Sequence, residues 1–428
     1  MNRFALTACL LLLPTPAFAQ SKDPVPAKPP FLLVWGTAYH ILPETHTDES
    51  GYFSLCQGKN GKIYVGTAAY GFNAYLVEFD PKTGAQRIVI DTNKVCGLSV
   101  KGPTYAAQAK IHTRNFVGPS GKIYVGSKQG YRRGKEDTAD YPGGYVMVYD
   151  PATDKAECLG MPYKGEGVID VVADEARGIL YVVTCEDQHW MRYDVKTKQY
   201  RELGPLLTPY ATTLLDDKGR ARVVTRDFQL ATYDPATDAV TRCDILVDGA
   251  PLAANPKLGP ACWDVAADGK TAYLIRLSEG ILYRIDLGAD STKATGTKLG
   301  KLLEGKNYDS RGSLIVGTDG KVHALVRIDN ETRFGSGYLH HLVSYDPAAK
   351  TMRDHGVLAV KNPDYFDFSP RPEGKPKPWT HGFHKLPDGT LTPLHAHMAL
   401  IQTRDGTFYA TIIYPFTLLR IEPKDAGQ

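Results

Sequence analysis

What this chain lacks narrows it before what it contains. Beyond residues 1–19 no apolar run approaches the roughly 20 residues needed to cross a membrane, so no membrane insertion is expected. Lysine and arginine number 50 against 47 acidic residues, a net charge of +3. So even a balance gives no electrostatic footing for nucleic acid. The 7 cysteines are scattered singly without a C-x-x-C pair, which argues against a zinc ribbon. Helical periodicity is nearly absent.

The exception to the missing apolar runs lies at the start. Arg3, the run 4–13 and the small-x-small triplet Ala17-Phe18-Ala19 read as a secretory signal over residues 1–19. A secreted or periplasmic protein is the expectation, with no lipobox for a lipid anchor. Cys9 leaves with the signal, and Cys56, Cys96, Cys158, Cys185, Cys243 and Cys262 remain. In an oxidising compartment that even count permits disulfides, and buried thiols account for most of these positions equally well. Residues 20–30, rich in Lys and Pro, read as a loose linker.

From residue 31 to 428 the chain repeats itself. One strand type follows a Gly-containing turn in seven places: GKIYVGT from Gly61, GKIYVGS from Gly121, RGILYVVT from Arg177, GRARVVTR from Gly219, GKTAYLIR from Gly269, GKVHALVR from Gly320 and GTFYATII from Gly406. A second type follows each, as in YLVEFDP at Tyr75, YVMVYDP at Tyr145, HLVSYDP at His341 and TLLRIEP at Thr417. Period-two alternation places one face of each pair against a neighbouring sheet. The Asp-Pro marks a turn into an outer strand such as QRIVI at Gln86, and inner strands such as YFSLC, KIHTR and HMALIQT precede each pair. Four strands repeated in this way predict an all-β fold, a seven-bladed β-propeller. The last repeat ends without room for its outer strand, and FLLVWGT at 31–37 is left over, so that N-terminal strand is expected to close the ring. The domain reading is a signal over 1–19, a linker over 20–30 and one propeller over 31–428.

In such a blade the loop entering the inner strand and the loop between the second and third strands share a face. The long insertions 129–144, 328–339 and 361–394 fall there, which makes that face the expected site. Where the second strand reaches it, Lys128, Arg226, Arg276 and Arg327 end four of the repeats, with Lys110, Arg114, Arg132 and Arg133 nearby. Solvated turn residues would explain each singly. Together they suit substrate binding to an anionic ligand, a uronate above all, because a guanidinium grips a carboxylate bidentately. His112, at the head of an inner strand, has the side chain suited to proton transfer. His395 and His397, two residues apart on a strand, place both rings on one side and are the candidate ligands of a divalent metal, with His381 and His384 on the same loop. Packing explains the pair as well, and no cofactor is required. His40, Glu44, His46, Asp48 and Glu49 crowd proton-transfer groups into the segment before the first inner strand. Asp170 and Asp264 occupy matching inner-strand positions, where hydrogen bonding across the channel is the preferred reading.

Three stretches, YHILPETHTDESGYFSL, GKIYVGTAAYGFNAYLVEFDPKTG and AAQAKIHTRNFVGPSGKIYVGSKQGY, resemble the bacterial seven-bladed propeller α-L-rhamnosidases that act on rhamnose linked to glucuronic acid in arabinogalactan side chains. The chain is also similar to L-rhamnose-α-1,4-D-glucuronate lyases and, more distantly, to ulvan lyases. For a lyase the resemblance implies two His, a Tyr and Arg residues on the loop-rich face. His112 and Arg226 fit that set, whereas the second His falls near Lys128 or Gln129 and a further Arg near Cys185. For a rhamnosidase it implies one histidine as general acid, described for the opposite face and carried here to His40 or His46. The repeats nevertheless place that segment on the loop-rich face. The leading expectation is an exported glycoside hydrolase releasing terminal L-rhamnose from rhamnose-glucuronate caps, with a uronate-containing oligosaccharide or polysaccharide as partner. A lyase cleaving the same linkage by β-elimination, and a non-enzymatic glycan-binding propeller, are the alternatives.

Overall fold

The computed structural model describes residues 26–425 except 48, 101, 133, 136, 289, 311–312, 367–381 and 395. The expected signal segment 1–19 and most of the expected linker lie outside the described residues. Almost all regular structure is β, with one four-residue helix, Thr92–Val95. No helix among the described residues is long and apolar enough to cross a membrane.

The building unit is an antiparallel meander. Its most regular example runs Gly167–Asp174, Ile179–Cys185, Trp190–Asp194 and Gln199–Glu202, each strand paired to the next. The same order recurs from Glu49–Gln57 to Gln86–Asp91 and from Ala261–Val265 to Ala294–Lys301. The Asp-Pro turns explain why the chain reverses where it does. Asp80, Asp150, Asp234 and Asp346 each accept, through Oδ1, the backbone N–H two residues on, an Asx turn that replaces the ladder bonds the chain gives up. Four residues after each Asp stands a left-handed residue: Gly84, Asp154, Asp238 and Lys350. Asp154 and Asp238 also accept 2.7 Å hydrogen bonds from the hydroxyls of Tyr149 and Tyr233. Tyr-Asp-Pro thus folds back on itself with its polar groups satisfied.

Neighbouring meanders stack through their apolar faces. Leu55, Ile63, Val65, Val77 and Phe79 of the first meander pack against Tyr409, Phe416 and Leu418 of the last, so the two ends of the chain share one core. Gly66 and Gly126, the glycines of the two GKIYVG repeats, sit where adjacent strands leave no room for a side chain, Gly66 against its own inner strand and Gly126 against the next meander. A Cβ on Gly66 would lie 2.0 Å from Ser54 Oγ, and one on Gly126 would lie 2.4 Å from Val168 Cγ1. The N-terminal strand spans Leu33–His40 rather than 31–37, and it serves two partners. Residues 37–40 pair antiparallel with 417–420, while residues 33–36 pair in parallel with 357–360 of the preceding meander.

The inner strands depart most from expectation. KIHTR is broken: Lys110–Ile111 pairs with Ala68 and with 127–128, the chain leaves the ladder at His112, and Phe116–Val117 resumes pairing with 123–124. Between Ser50 and Leu55, and between Val168 and Asp170, the register shifts. Such bulges turn a side chain away from the alternation that the rest of the strand obeys. The expected insertion 328–339 is shortened at both ends by strand, since Val322–Asp329 and Tyr338–Asp346 stay paired out to Asp329 and Tyr338 and leave 330–337 as the loop.

Candidate functional site

The broken inner strand opens onto the loop-rich face. There a cavity of about 500 Å³ is lined by Tyr52, Tyr105, Lys110, His112, Lys128, Gln129, Tyr131, Arg132, Cys185, Glu186, Gln188 and Tyr210, among others. Of the residues expected to act, His112, Lys110, Lys128 and Arg132 meet in it.

Lys110 is only 3% exposed, yet its ammonium lies 4.7 Å from the ring centre of Tyr52, 4.9 Å from that of Tyr70 and 5.2 Å from that of Tyr131. Three tyrosine faces surround the ammonium, which, against burial, also helps hold the Glu186 carboxyl below its usual range. His112, 4% exposed, donates its backbone N–H to Gly126 and packs its ring 4.9 Å from that of Tyr52 and 5.9 Å from Phe53. On the opposite wall Lys128 reaches Glu186 and, at 2.6 Å, the Cys185 sulfur. Burial opposes the Lys128 charge but is outweighed by these neighbours, and its pKa is raised. Burial pushes the Cys185 thiol up, Lys128 offsetting only part of that. The thiol is therefore neutral at ordinary pH, and Glu186 answers the Lys128 charge. Gln129 donates to the same Glu186 oxygen at 2.9 Å, and Arg132 stacks 4.1 Å from the ring centre of Tyr105.

Four of the lining residues, Tyr52 (φ 67°), Glu186 (φ 130°), Gln188 (φ 60°) and Tyr210 (φ 60°), hold backbone angles that L residues rarely adopt. Nine other described non-glycine residues share such angles, Asp154, Lys198, Phe228, Asp238, Asp248, Asn307, Arg333, Lys350 and Tyr414. Glu186 and Gln188 lie in the short connection between Ile179–Cys185 and Trp190–Asp194, and Tyr210 in a turn closed by the Ala211 N–H on the Thr208 carbonyl, whereas Tyr52 holds its angle inside the strand Glu49–Gln57. Sequence reading missed these tyrosines because a bulge leaves no trace in the alternation.

The other expected residues go elsewhere. Arg114 is not on this face. It lies in an interior cavity with Asp170 and Asp264, and its Nη2 donates to Cys262 Sγ at 2.8 Å. There Asp170 accepts from the Thr213 N–H at 2.7 Å and Asp264 from the Val316 N–H at 2.8 Å, each tying its strand to the next meander. Burial lifts the Asp170 carboxyl to about 7 and raises Asp264 as well. Arg276 is closed by Glu279 in a bidentate pair at 2.6 and 2.7 Å, and also donates to the Ala253 carbonyl. Arg327 pairs with Asp309 at 3.3 Å and stacks on Tyr338. Arg226 is exposed and donates to the Asp187 carbonyl at 2.8 Å. Arg114, Arg276 and Arg327 are thus engaged in internal ion pairs and hydrogen bonds away from the pocket lining, Arg276 and Arg327 within their own meanders and Arg114 with Cys262 of the strand Ala261–Val265.

His40 and His46 do not line the pocket. His46 is 8% exposed, with Nε2 2.9 Å from the Ile41 carbonyl and its ring 5.4 Å from that of Phe416. His40, exposed at the end of its strand, makes an edge contact with it at 5.4 Å. His395, His381 and the side chain of His397 lie outside the described residues, so the expected metal pair has no structural account here. His384 sits on the short hairpin Phe383–Lys385 with Leu391–Pro393, where burial lowers its pKa.

No protein-family model and no curated protein matches the chain. Among solved structures it is similar to a fungal alcohol oxidase of the AA5 family in complex with copper, at 11% identity and TM-score 0.55 over 91% of this chain and 76% of that one. It is also similar to the WD40 repeats of RRP9, at 8% identity and TM-score 0.52 over 90% of this chain and 97% of that one. A third likeness is to the extracellular domain of BT4673, a putative one-component system of B. thetaiotaomicron, at 10% identity and TM-score 0.53. It covers 90% of this chain but 39% of the other. WD40 repeats build propellers, and at these identities the likeness shows the fold alone. The fold is all-β and propeller-like.

Proposed function

We propose that this chain is an exported, seven-bladed propeller closed by its N-terminal strand, acting on a uronate-containing glycan through the loop-face pocket. The observation that carries this reading is the convergence of Lys110, Lys128, His112 and the tyrosines Tyr52 and Tyr210 on one cavity. Removal of a proton α to a carboxylate needs a cation against that carboxylate and a base beside the carbon. Lys110, ringed by Tyr52, Tyr70 and Tyr131 at the cavity wall, supplies the first. His112 supplies the second, and a tyrosine hydroxyl protonates the departing glycosidic oxygen as the new double bond forms. This reading favours β-elimination, with the arginines of the related lyases replaced by lysines.

The hydrolytic alternative, release of terminal L-rhamnose with His40 or His46 as general acid, is supported by the edge contact between those two rings in a segment that also carries Glu44. Incubation with a rhamnosyl-glucuronide separates the two. Elimination yields rhamnose and an unsaturated uronate absorbing in the near ultraviolet, and the product disappears in His112→Ala. Saturated glucuronate, with activity lost in His40→Ala or His46→Ala instead, would make the protein a hydrolase. Absence of turnover with retained binding would make it a glycan-binding propeller.

A further inference from the structure

Beside the pocket, on the same meander as Glu186 and Gln188, lies a second group of side chains that the reading above does not use. Glu166, Asp187 and His189 bring one donor atom each to within 4.8 Å of one another, and His189 Nε2 stands 3.2 Å from Glu166 Oε1. We propose that these three hold one divalent cation of the zinc or manganese class. This assignment stands independently of which glycan the pocket takes.

The surroundings of each donor are those a metal ligand has. The Nδ1 of His189 is 2.6 Å from Glu202 Oε1, a carboxylate placed to hold the Nδ1 proton when Nε2, which faces Glu166, gives its lone pair to a metal. A carboxylate behind a histidine fixes tautomer and orientation in metal centres. Tyr163 stacks on the ring at 4.0 Å and 15°, which removes its remaining freedom. Glu166 is buried, and the Thr184 hydroxyl donates to its Oε2, which leaves Oε1 as the oxygen facing His189.

Charge gives a separate argument. Glu166, Asp187 and Glu202 bring three carboxylates around one imidazole, and among the described residues no lysine or arginine forms a salt bridge with any of them. Even a protonated His189 would leave the group net negative, with one of its acids buried. A divalent cation offsets that charge where no side chain does. The mixed oxygen and nitrogen donor set suits zinc or manganese rather than calcium, which takes oxygen ligands. Asp187 is exposed, so an ion can enter from solvent, and three protein donors leave a tetrahedral position to water. Because Asp187 sits between Glu186 and Gln188, both lining the pocket with strained backbone, the ion would brace that wall.

The test uses the full mature chain stripped with chelator, titrated separately with Zn²⁺ and Mn²⁺ and followed by calorimetry and native mass spectrometry. One ion per chain is expected for the wild type. Binding should fall at least ~100-fold in Asp187→Asn and in His189→Ala, and ~10-fold or more in Glu202→Gln, which removes only the group behind the imidazole. Asp187→Asn changes an exposed side chain and keeps the test valid if His189→Ala does not fold. Failure of the wild type to bind one ion per chain would overturn the proposal. So would undiminished binding in Asp187→Asn, the result expected if the ion sits elsewhere, for instance at His395 and His397. In either event His189 is an ion-paired structural residue.

Discussion

Two sets of cations stand at equivalent places in the repeat and meet opposite fates. Lys128 and Arg276 both end a second strand at the loop-rich face, and Lys110 precedes an inner strand there. On the pocket side the charges look into an open cavity, Lys110 against tyrosine faces and Lys128 toward a half-exposed Glu186. On the other side, and in the channel, they are closed. Arg276 is gripped by a Glu three residues away, Arg327 by Asp309, and Arg114 by the interior group around Asp170, Asp264 and Cys262. The difference teaches that a ring of like positions in a repeat is not a ring of like function. What separates them is whether the side chain lines the cavity, since Lys128 has its own carboxylate in Glu186, and that is a property of the neighbouring loops.

The comparison can be broken at several points. The largest effect is expected in the channel. Asp170 has an ordinary carboxyl pKa of 3.8 and a folded value of about 7. The folded state therefore binds the proton more tightly than the unfolded one. Its contribution is fully present below pH ~4 and is lost as pH rises to 7, on the order of 4 kcal/mol in all. Urea midpoints of wild type and Asp170→Asn at pH 4.5 and 7.5 should differ in slope accordingly, and parallel pH profiles would show that the channel group is not as closed as described. Next comes Arg276→Ala, which strands the largely buried Glu279 carboxylate and should remove about 3 kcal/mol of stability. It should leave turnover on a uronate substrate nearly unchanged, and a specific loss of kcat/KM would put Arg276 in the site after all. Lys110→Ala should do the reverse, lowering kcat/KM ~100-fold with a smaller change in unfolding midpoint. A Lys110→Ala enzyme that unfolded early yet kept its kcat/KM would erase the contrast. Smallest is Arg226→Ala, an exposed side chain that donates to the Asp187 carbonyl, expected within about 0.5 kcal/mol of wild type in denaturant.

Much of the architecture could be read from the chain because it rests on local chemistry. Period-two alternation marks the strands, and Tyr-Asp-Pro marks the turns because Asp Oδ1 caps the N–H two residues on. The glycine in GKIYVG marks the places where adjacent strands leave no room for a side chain. Each of those signals acts over a few residues and survives whatever the rest of the chain does. The face carrying the pocket was legible as well, since the connection order assigns each loop to one end of the meander.

The site itself was legible only in part. His112, Lys110 and Lys128 stood out by type and position, whereas Tyr52, Tyr210, Glu186 and Gln188 did not. Their direction depends on bulges and left-handed backbone that no alternation pattern records. The fate of each arginine depended on a partner brought near by packing, Asp309 for Arg327 and Cys262 for Arg114, more than a hundred residues away in the second case. The sequence by itself determined that this chain is built of repeated β-meanders with a basic, loop-rich face. Only the tertiary structure decided which of those charges line the cavity, because their surroundings are set by distances of a few ångströms between segments far apart in the chain.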